Sequence, residues 1–287
     1  MCFAPIYLAE DLLRARGFSD VQYVDLTTTT LVAVAAGEAD MAMSAVGVPI
    51  VQADADDSVV ILGGVHVGCM ELFATSAVRS MSDLKGKRVA TPNQGSGNHV
   101  HFAAMAAYVG IDPHRDLTLV YDPVADAVRQ FTAGQVDAYM GFPPGPQELR
   151  ANGIGHVIVN THTDRPWSQY FCCVVVANRA FVQQHPVAAK HGLRAVLEAA
   201  DICAAQPERA AQDLVNRGFV ADVSLAQQML KHDVAYDRWR DYDPEDTVRF
   251  FSLRLQEVGM IKSSPDAILK RGTDWRIFNE LKQELKV

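Results

Sequence analysis

No apolar stretch in this 287-residue chain approaches the roughly 20 residues that a membrane-crossing helix needs. There is no surplus of positive charge either. Lys and Arg number 26 against 34 Asp and Glu, a net charge of −8, so the electrostatic footprint of a nucleic-acid binder is missing. Cysteine is scarce: five residues, an odd count, with no C-x-x-C pair. Neither a disulfide framework nor a zinc site is expected from that pattern, and no cofactor is expected. Cys172 and Cys173 adjoin within a strand-like run, Tyr170 to Ala177, where alternation would send their side chains to opposite faces as small buried hydrophobes. His99 and His101, two apart on a helix, do not present one ligand face. Low-complexity segments, long charge runs and a secretory signal are absent from the sequence. The hydrophobic share, 49%, is ample for a core.

One phrase is present twice. Ala36-Gly37-Glu38-Ala39-Asp40-Met41-Ala42-Met43 returns as Ala133-Gly134-Gln135-Val136-Asp137-Ala138-Tyr139-Met140. Each copy closes a helical stretch with Ala-Gly and opens an apolar strand with Asp. The likeness extends upstream. The first half reads helix (Ile6 to Arg16), strand (Val21 to Leu26), helix, strand. The second reads helix (Gly97 to Val109), strand (Leu117 to Tyr121), helix, strand. Gly17, Gly37, Gly110 and Gly134 stand where helix C-caps need a left-handed residue. The alternation predicts two α/β lobes with mostly parallel sheets, facing across a cleft that suits a small ligand. A strand, Arg88 to Thr91, opens the second half and has no counterpart in the first, so an upstream segment carrying that strand is expected. From Asn178 onward the pattern is helical, with helices at Pro186–Ala205, Pro207–Gly218, Ser224–His232, Pro244–Gly259 and Asp274–Leu285. Asp243-Pro244-Glu245-Asp246 combines a cap, a Pro at the first helical position and first-turn acids.

In open α/β sheets ligands sit beyond the carboxyl ends of strands. The candidate ligand-binding residues are therefore Phe3, Tyr7, Thr28, Thr29, Ser44, Ala45, Gln94, Gly95, Ser96, Asn98, Phe142 and Trp167, with no catalytic residue among them. Gln94 to Asn98 can grip an anion with glycine-exposed N–H groups at a helix start, or be an ordinary capped loop. Thr27 to Thr30 can touch a ligand or only cap. Trp167 can stack on a ligand or pack at a hinge, and Glu71 can read a cationic group or sit solvated at a strand end.

Ala4-Pro5-x-Tyr7-x-Ala9-Glu10 leading to Gly17-Phe18, the Gly37/Asp40/Gly47/Pro49 spacing, and Asp83-Leu84-Lys85-Gly86-Lys87-Arg88-Val89 before a Gly/Ser loop resemble the periplasmic solute receptors of ABC importers. The nearest branch is the nitrate/sulfonate/taurine type, which includes the NMT1/THI5-like pyrimidine-precursor binders. The resemblance implies a type II periplasmic binding protein fold, α/β, with two lobes, a central cleft and a hinge. Lobe I would be residues 1–76 plus 173–287 and lobe II residues 77–172. It further implies a monomeric, non-enzymatic periplasmic receptor that closes on a small polar or anionic ligand and is read by a membrane permease. Two alternatives stay open. One is a THI5-like pyrimidine-precursor synthase, although only Phe171-Cys172-Cys173 answers to that group's Cys-rich motif. The other is a ligand-sensing domain of a regulator.

Overall fold

The computed structural model describes residues 2–24 and 29–286. Nine strands are found among them: β1 Met41–Ala45, β2 Val59–Gly68, β3 Glu71–Ala74, β4 Arg88–Pro92, β5 Thr118–Asp122, β6 Ala138–Gly141, β7 His156–Asn160, β8 Cys173–Asn178 and β9 Val234–Ala235. The helices of the first half are α1 Ala4–Arg14, α2 Thr30–Ala36 and α3 Gly47–Ala55. Those of the second are α4 Gly97–Tyr108, α5 Val124–Thr132 and α6 Gly145–Ala151. The tail holds α7 Arg179–Gln184, α8 Pro186–Ala205, α9 Pro207–Asn216, α10 Val223–His232, α11 Pro244–Glu257, α12 Pro265–Gly272 and α13 Arg276–Glu284.

The strands form two sheets, ordered β1-β8-β2-β9 and β5-β4-β6-β3-β7. The expectation of mostly parallel sheets holds only in part. β4 pairs in parallel with β5 and β6, but every ladder of the four-stranded sheet is antiparallel, as are both ladders of β3. The cause is the double crossing. β3 and β8 each enter their sheet directly from the other one, without the crossover helix that parallel pairing requires. Sheet membership changes at Cys69-Met70 and again at Phe171-Cys172. The expected lobe I limit at residue 76 thus lies beyond β3, which belongs to the five-stranded sheet.

The repeated phrase occupies equivalent places. The backbone carbonyl of Asp40 accepts the N–H of Asn178 at 2.9 Å, and that of Asp137 accepts the N–H of Thr75 at 3.0 Å. In each lobe the repeat Asp thereby joins its strand to the antiparallel incoming one. Gly17, Gly37, Gly110 and Gly134 all carry positive φ. The strand expected over Val21 to Leu26 does not form over Val21–Val24, and its last two residues lie outside the described residues. Tyr23 instead hydrogen-bonds to the carbonyls of Ile6 and Tyr7 at the start of α1.

β2 and β8 are the central strands, and every residue of β2 is buried. At Gly63 and Gly64 the ladder to β8 shifts register, and aromatic rings press onto the backbone. A methyl group on Gly63 would lie 2.4 Å from the Phe278 ring, and one on Gly64 would lie 2.3 Å from Phe171. The tail helices expected from the pattern all form, the one at Pro186–Ala205 with both ends as expected and the others with ends moved by at most two residues. The Asp243 carboxylate accepts the Glu245 N–H at 2.8 Å, as its cap position requires. One large apolar cluster runs through both sheets, and a smaller one around Phe73, Phe131 and Tyr139 fills the outer side of the five-stranded sheet.

Candidate functional site

α4 is the element between the lobes. It packs on β4 and β6 of its own sheet and on β1, α3 and α11 of the other lobe. Its residues from Asn98 to Ala106 are all buried, which is why its sequence is nearly free of charge. Ser96 is its N-cap: the hydroxyl accepts the His99 N–H at 3.3 Å and donates to the Pro92 carbonyl. His99 in turn accepts the Gly95 N–H at Nδ1 (3.0 Å), and its Nε2 meets the Tyr121 hydroxyl at 3.1 Å. Burial pushes the His99 pKa down to about 4, so the ring is neutral and can accept from Gly95. Asn98 is buried, and its Nδ2 donates to the Met140 carbonyl at 3.1 Å. The Ser96 hydroxyl, the Gly95 N–H and the Asn98 amide are thus engaged in holding the loop's own shape. The N–H groups of Gly97 and Asn98 remain in a first turn that offers no intrahelical acceptor.

The other lobe's turn meets this helix start directly. A methyl group on Gly97 would lie 2.6 Å from Cβ of Ala45, and one on Gly47 would lie 2.6 Å from Val100. Ser44 and Ala45 are buried there, with the Ser44 hydroxyl 3.3 Å from the Ala45 carbonyl oxygen. Ser44, Ala45, Ser96 and Asn98 therefore come together, while Gln94 and Gly95 stand exposed at the rim.

The remaining expected residues lie elsewhere. Tyr7 stacks on Phe219 at 4.2 Å between ring centres, which ties α1 to the tail helices. Phe3, the N-cap of α1, and Phe142 are half-buried against the main core. Thr29 is an exposed cap before α2, and Thr28 lies outside the described residues. Trp167 is buried in an aromatic seam with Tyr108 of α4 and Phe250 of α11, so the packing reading fits its surroundings. His101 faces the same seam, between Trp167 and Phe251, with neither ring nitrogen hydrogen-bonded; burial lowers its pKa to about 4.

A second feature spans the lobes and was not read from the sequence. Glu71, at the start of β3, is buried rather than solvated. Its carboxylate accepts from Arg150 and, at 2.9 Å, from Asn160. Arg150 also donates to Asp233 at 3.0 Å, and Gln147 donates to the same carboxylate at 2.6 Å. Gln147 and Arg150 are three apart on α6, on one face, whereas Asp233 follows α10 beside the four-stranded sheet. The i,i+3 pair after Pro143-Pro144-Gly145-Pro146 was the one visible signal. Burial pushes the Glu71 pKa up to about 7, against the downward pull of Arg150. Beside the network, Glu71, Gln147, Asn160 and Asp233 line a partly open pocket of about 10 Å³, room for one water. A wider groove, about 440 Å³, lies on the tail side between Val67, His162, Lys231, Tyr236, Arg238 and Tyr242.

Residues 27–216 match the model of the NMT1-like family. The chain belongs to that family. Among curated relatives, it is 27% identical over 161 residues to a putative ABC transporter periplasmic binding protein of Brachyspira hyodysenteriae, covering 56% of this chain and 43% of the relative. It is 30% identical over 141 residues to the nitrate import ATP-binding protein NrtC of Synechocystis, covering 46% of this chain and 21% of that protein. The chain thus spans less than half the length of either curated relative. Among solved structures, the nitrate-binding protein NrtA of Synechocystis superposes with a TM-score of 0.77 at 18% identity, covering 100% of this chain and 86% of its own. The alkanesulfonate-binding protein SsuA of Xanthomonas axonopodis gives 0.70 at 19%, covering 90% and 92%. These likenesses establish the periplasmic binding protein fold expected from the sequence. No helix among the described residues is long and apolar enough to cross a membrane.

Proposed function

We propose that this protein is the solute receptor of an ABC importer, working in the periplasm and handing a small polar or anionic organic ligand to a membrane permease. The observation that carries this reading is the meeting of the end of β1 and its following turn, Ser44 to Val46, with the start of α4 across the lobe junction. One side supplies a small-residue turn, and the other supplies a capped helix N-terminus whose dipole favours an anion. Membership of the NMT1-like family and likeness to nitrate- and sulfonate-binding proteins support it. The junction is closed, so the lobes must part to admit a ligand, and a ligand touching both lobes shifts the population toward closure. Sulfonates, nitrate and pyrimidine precursors are the ligand classes to test.

A thermal-shift screen of the purified chain against small sulfonates, carboxylates, nitrate, amino acids and pyrimidines tests the proposal. A ligand that binds only the native state raises Tm in a saturable way. Ser96→Ala and Asn98→Ala should then weaken binding of the responding ligand while the circular-dichroism spectrum is retained. If both keep full affinity while Lys231→Ala or Arg238→Ala abolishes binding, the site is the tail groove and the junction assignment is wrong.

A further inference from the structure

Three sulfurs and one imidazole meet where the chain first crosses between the sheets. One donor atom each from Cys2, His66, Cys69 and Cys173 lies within 4.8 Å of all the others. The four residues come from the start of α1, the end of β2, the crossing and the first position of β8. All are buried, His66 completely. Cys172 stands close by, its sulfur 3.4 Å from that of Cys69. The expectation that Cys172 and Cys173 point to opposite faces thus fails. Only Cys173 is within the strand, so the alternation does not govern Cys172, and both sulfurs reach toward Cys69.

A cluster of cysteines can be mere apolar filling. His66 argues against that here. Both of its ring nitrogens are buried without a hydrogen-bond partner. Buried polar atoms in folded proteins nearly always have a partner, and an orphan marks an occupant or a function. The ring lies edge-on to Tyr236, 5.1 Å between centres, and the Tyr236 hydroxyl donates to the Cys2 carbonyl at 2.9 Å, which fixes both neighbours. A tetrahedral zinc ion with Zn–S near 2.3 Å and Zn–N near 2.0 Å sets its ligand atoms roughly 3.5–3.8 Å apart. Donors up to 4.8 Å apart reach that spacing by drawing in by as much as about 1 Å.

We propose that Cys2, His66, Cys69 and Cys173 form a closed four-coordinate site for a thiophilic ion, zinc(II). Three sulfurs and one nitrogen are a donor set of structural zinc. Each ligating thiol gives its proton to solvent as the metal enters. Monovalent copper also takes thiolates, but it cancels one negative charge where zinc cancels two, and in a buried site the divalent ion is favoured. With four protein donors and no open position, the ion ties the chain start to the crossing between the lobes and performs no chemistry on a substrate. The inference is independent of which ligand the cleft holds. The spacing His66-x-x-Cys69 was its trace in the sequence; Cys2 and Cys173 lie too far along the chain to be joined to it without the fold.

The test uses the full chain, reduced, freed of metal with a chelator, and titrated with cobalt(II) as the optical substitute for zinc. The expected result is thiolate-to-cobalt charge-transfer absorption that saturates at one equivalent, is bleached by one equivalent of zinc, and accompanies a rise in Tm that the chelator reverses. Cys69→Ser should lose the charge-transfer band. His66→Asn should shift the d–d bands, and Cys203→Ser, a buried thiol in α8 outside the cluster, should change nothing. Absence of a cobalt band in the wild-type chain, with five thiols counted after denaturation, overturns the site whatever the variants do. A band that survives in both Cys69→Ser and Cys173→Ser overturns the ligand set. Saturation by copper(I) that zinc cannot match overturns the choice of ion.

Discussion

The burial of Glu71 makes the stability of this fold depend on pH. Its carboxylate is buried, and burial raises its pKa from 4.5 to about 7 even though Arg150 and Asn160 donate to it. The folded chain therefore holds a proton on Glu71 that the unfolded chain has released, over the window between those two values. Stability must fall as pH rises through that window, because the native state binds more protons there. At about 1.4 kcal/mol per pH unit, the displacement amounts to roughly 3 kcal/mol, fully present below pH 4.5 and lost above 7. Glu71→Gln removes the titration while keeping an acceptor oxygen for Asn160, and Arg150 keeps Asp233 as its partner. Urea denaturation of both chains at pH 5, 6, 7 and 8 provides the assay. The variant should gain about 2–3 kcal/mol relative to wild type between pH 5 and pH 8. Titrating groups remote from Glu71 are common to both chains and cancel in the difference. A difference that stays flat with pH, or that grows toward acid, would show that Glu71 holds no extra proton in the native state.

His101 has the opposite sign. Burial lowers its pKa from 6.5 to about 4, so its contribution is present above pH 6.5 and lost as pH falls toward 4. His101→Phe should flatten acid unfolding in that range by up to roughly 3 kcal/mol, measured as Tm against pH. Gly97→Ala places a methyl 2.6 Å from Cβ of Ala45, an overpacking that costs about 1–3 kcal/mol if the lobes stay shut. Parting the lobes relieves it, so small-angle scattering should give a larger radius of gyration than wild type, and an unchanged radius with a lowered Tm would mean that the junction is rigid core. Asp243→Ala removes the cap of α11 and should cost about 1 kcal/mol in urea denaturation, with the loss unaffected by ligand.

The parts of the protein that depend on neighbours in sequence were legible before folding. The repeat marks a C-capping Gly and an Asp whose backbone joins the incoming strand, and both copies do so. The tail helices follow from apolar period and caps, because those are local interactions within a turn or two. The helix expected over Gly97 to Val109 forms as α4, Gly97–Tyr108.

What the sequence left open follows from the double crossing. Strand direction in the four-stranded sheet was misread because β8 arrives from the other lobe, and no local pattern records where a strand comes from. Trp167 packs in a seam because α11, far along the chain, closes over it. Arg150 reaches Asp233, and Cys2 reaches Cys173, only because two crossings bring distant backbone to one place. Side chains that meet through topology carry no periodicity to announce them. Local pattern was enough to mark the twofold α/β repeat and its helix caps, because those interactions span a turn or two, whereas packing between distant segments settled which strand-end loops touch, which acids are buried and where Cys2, His66, Cys69 and Cys173 converge.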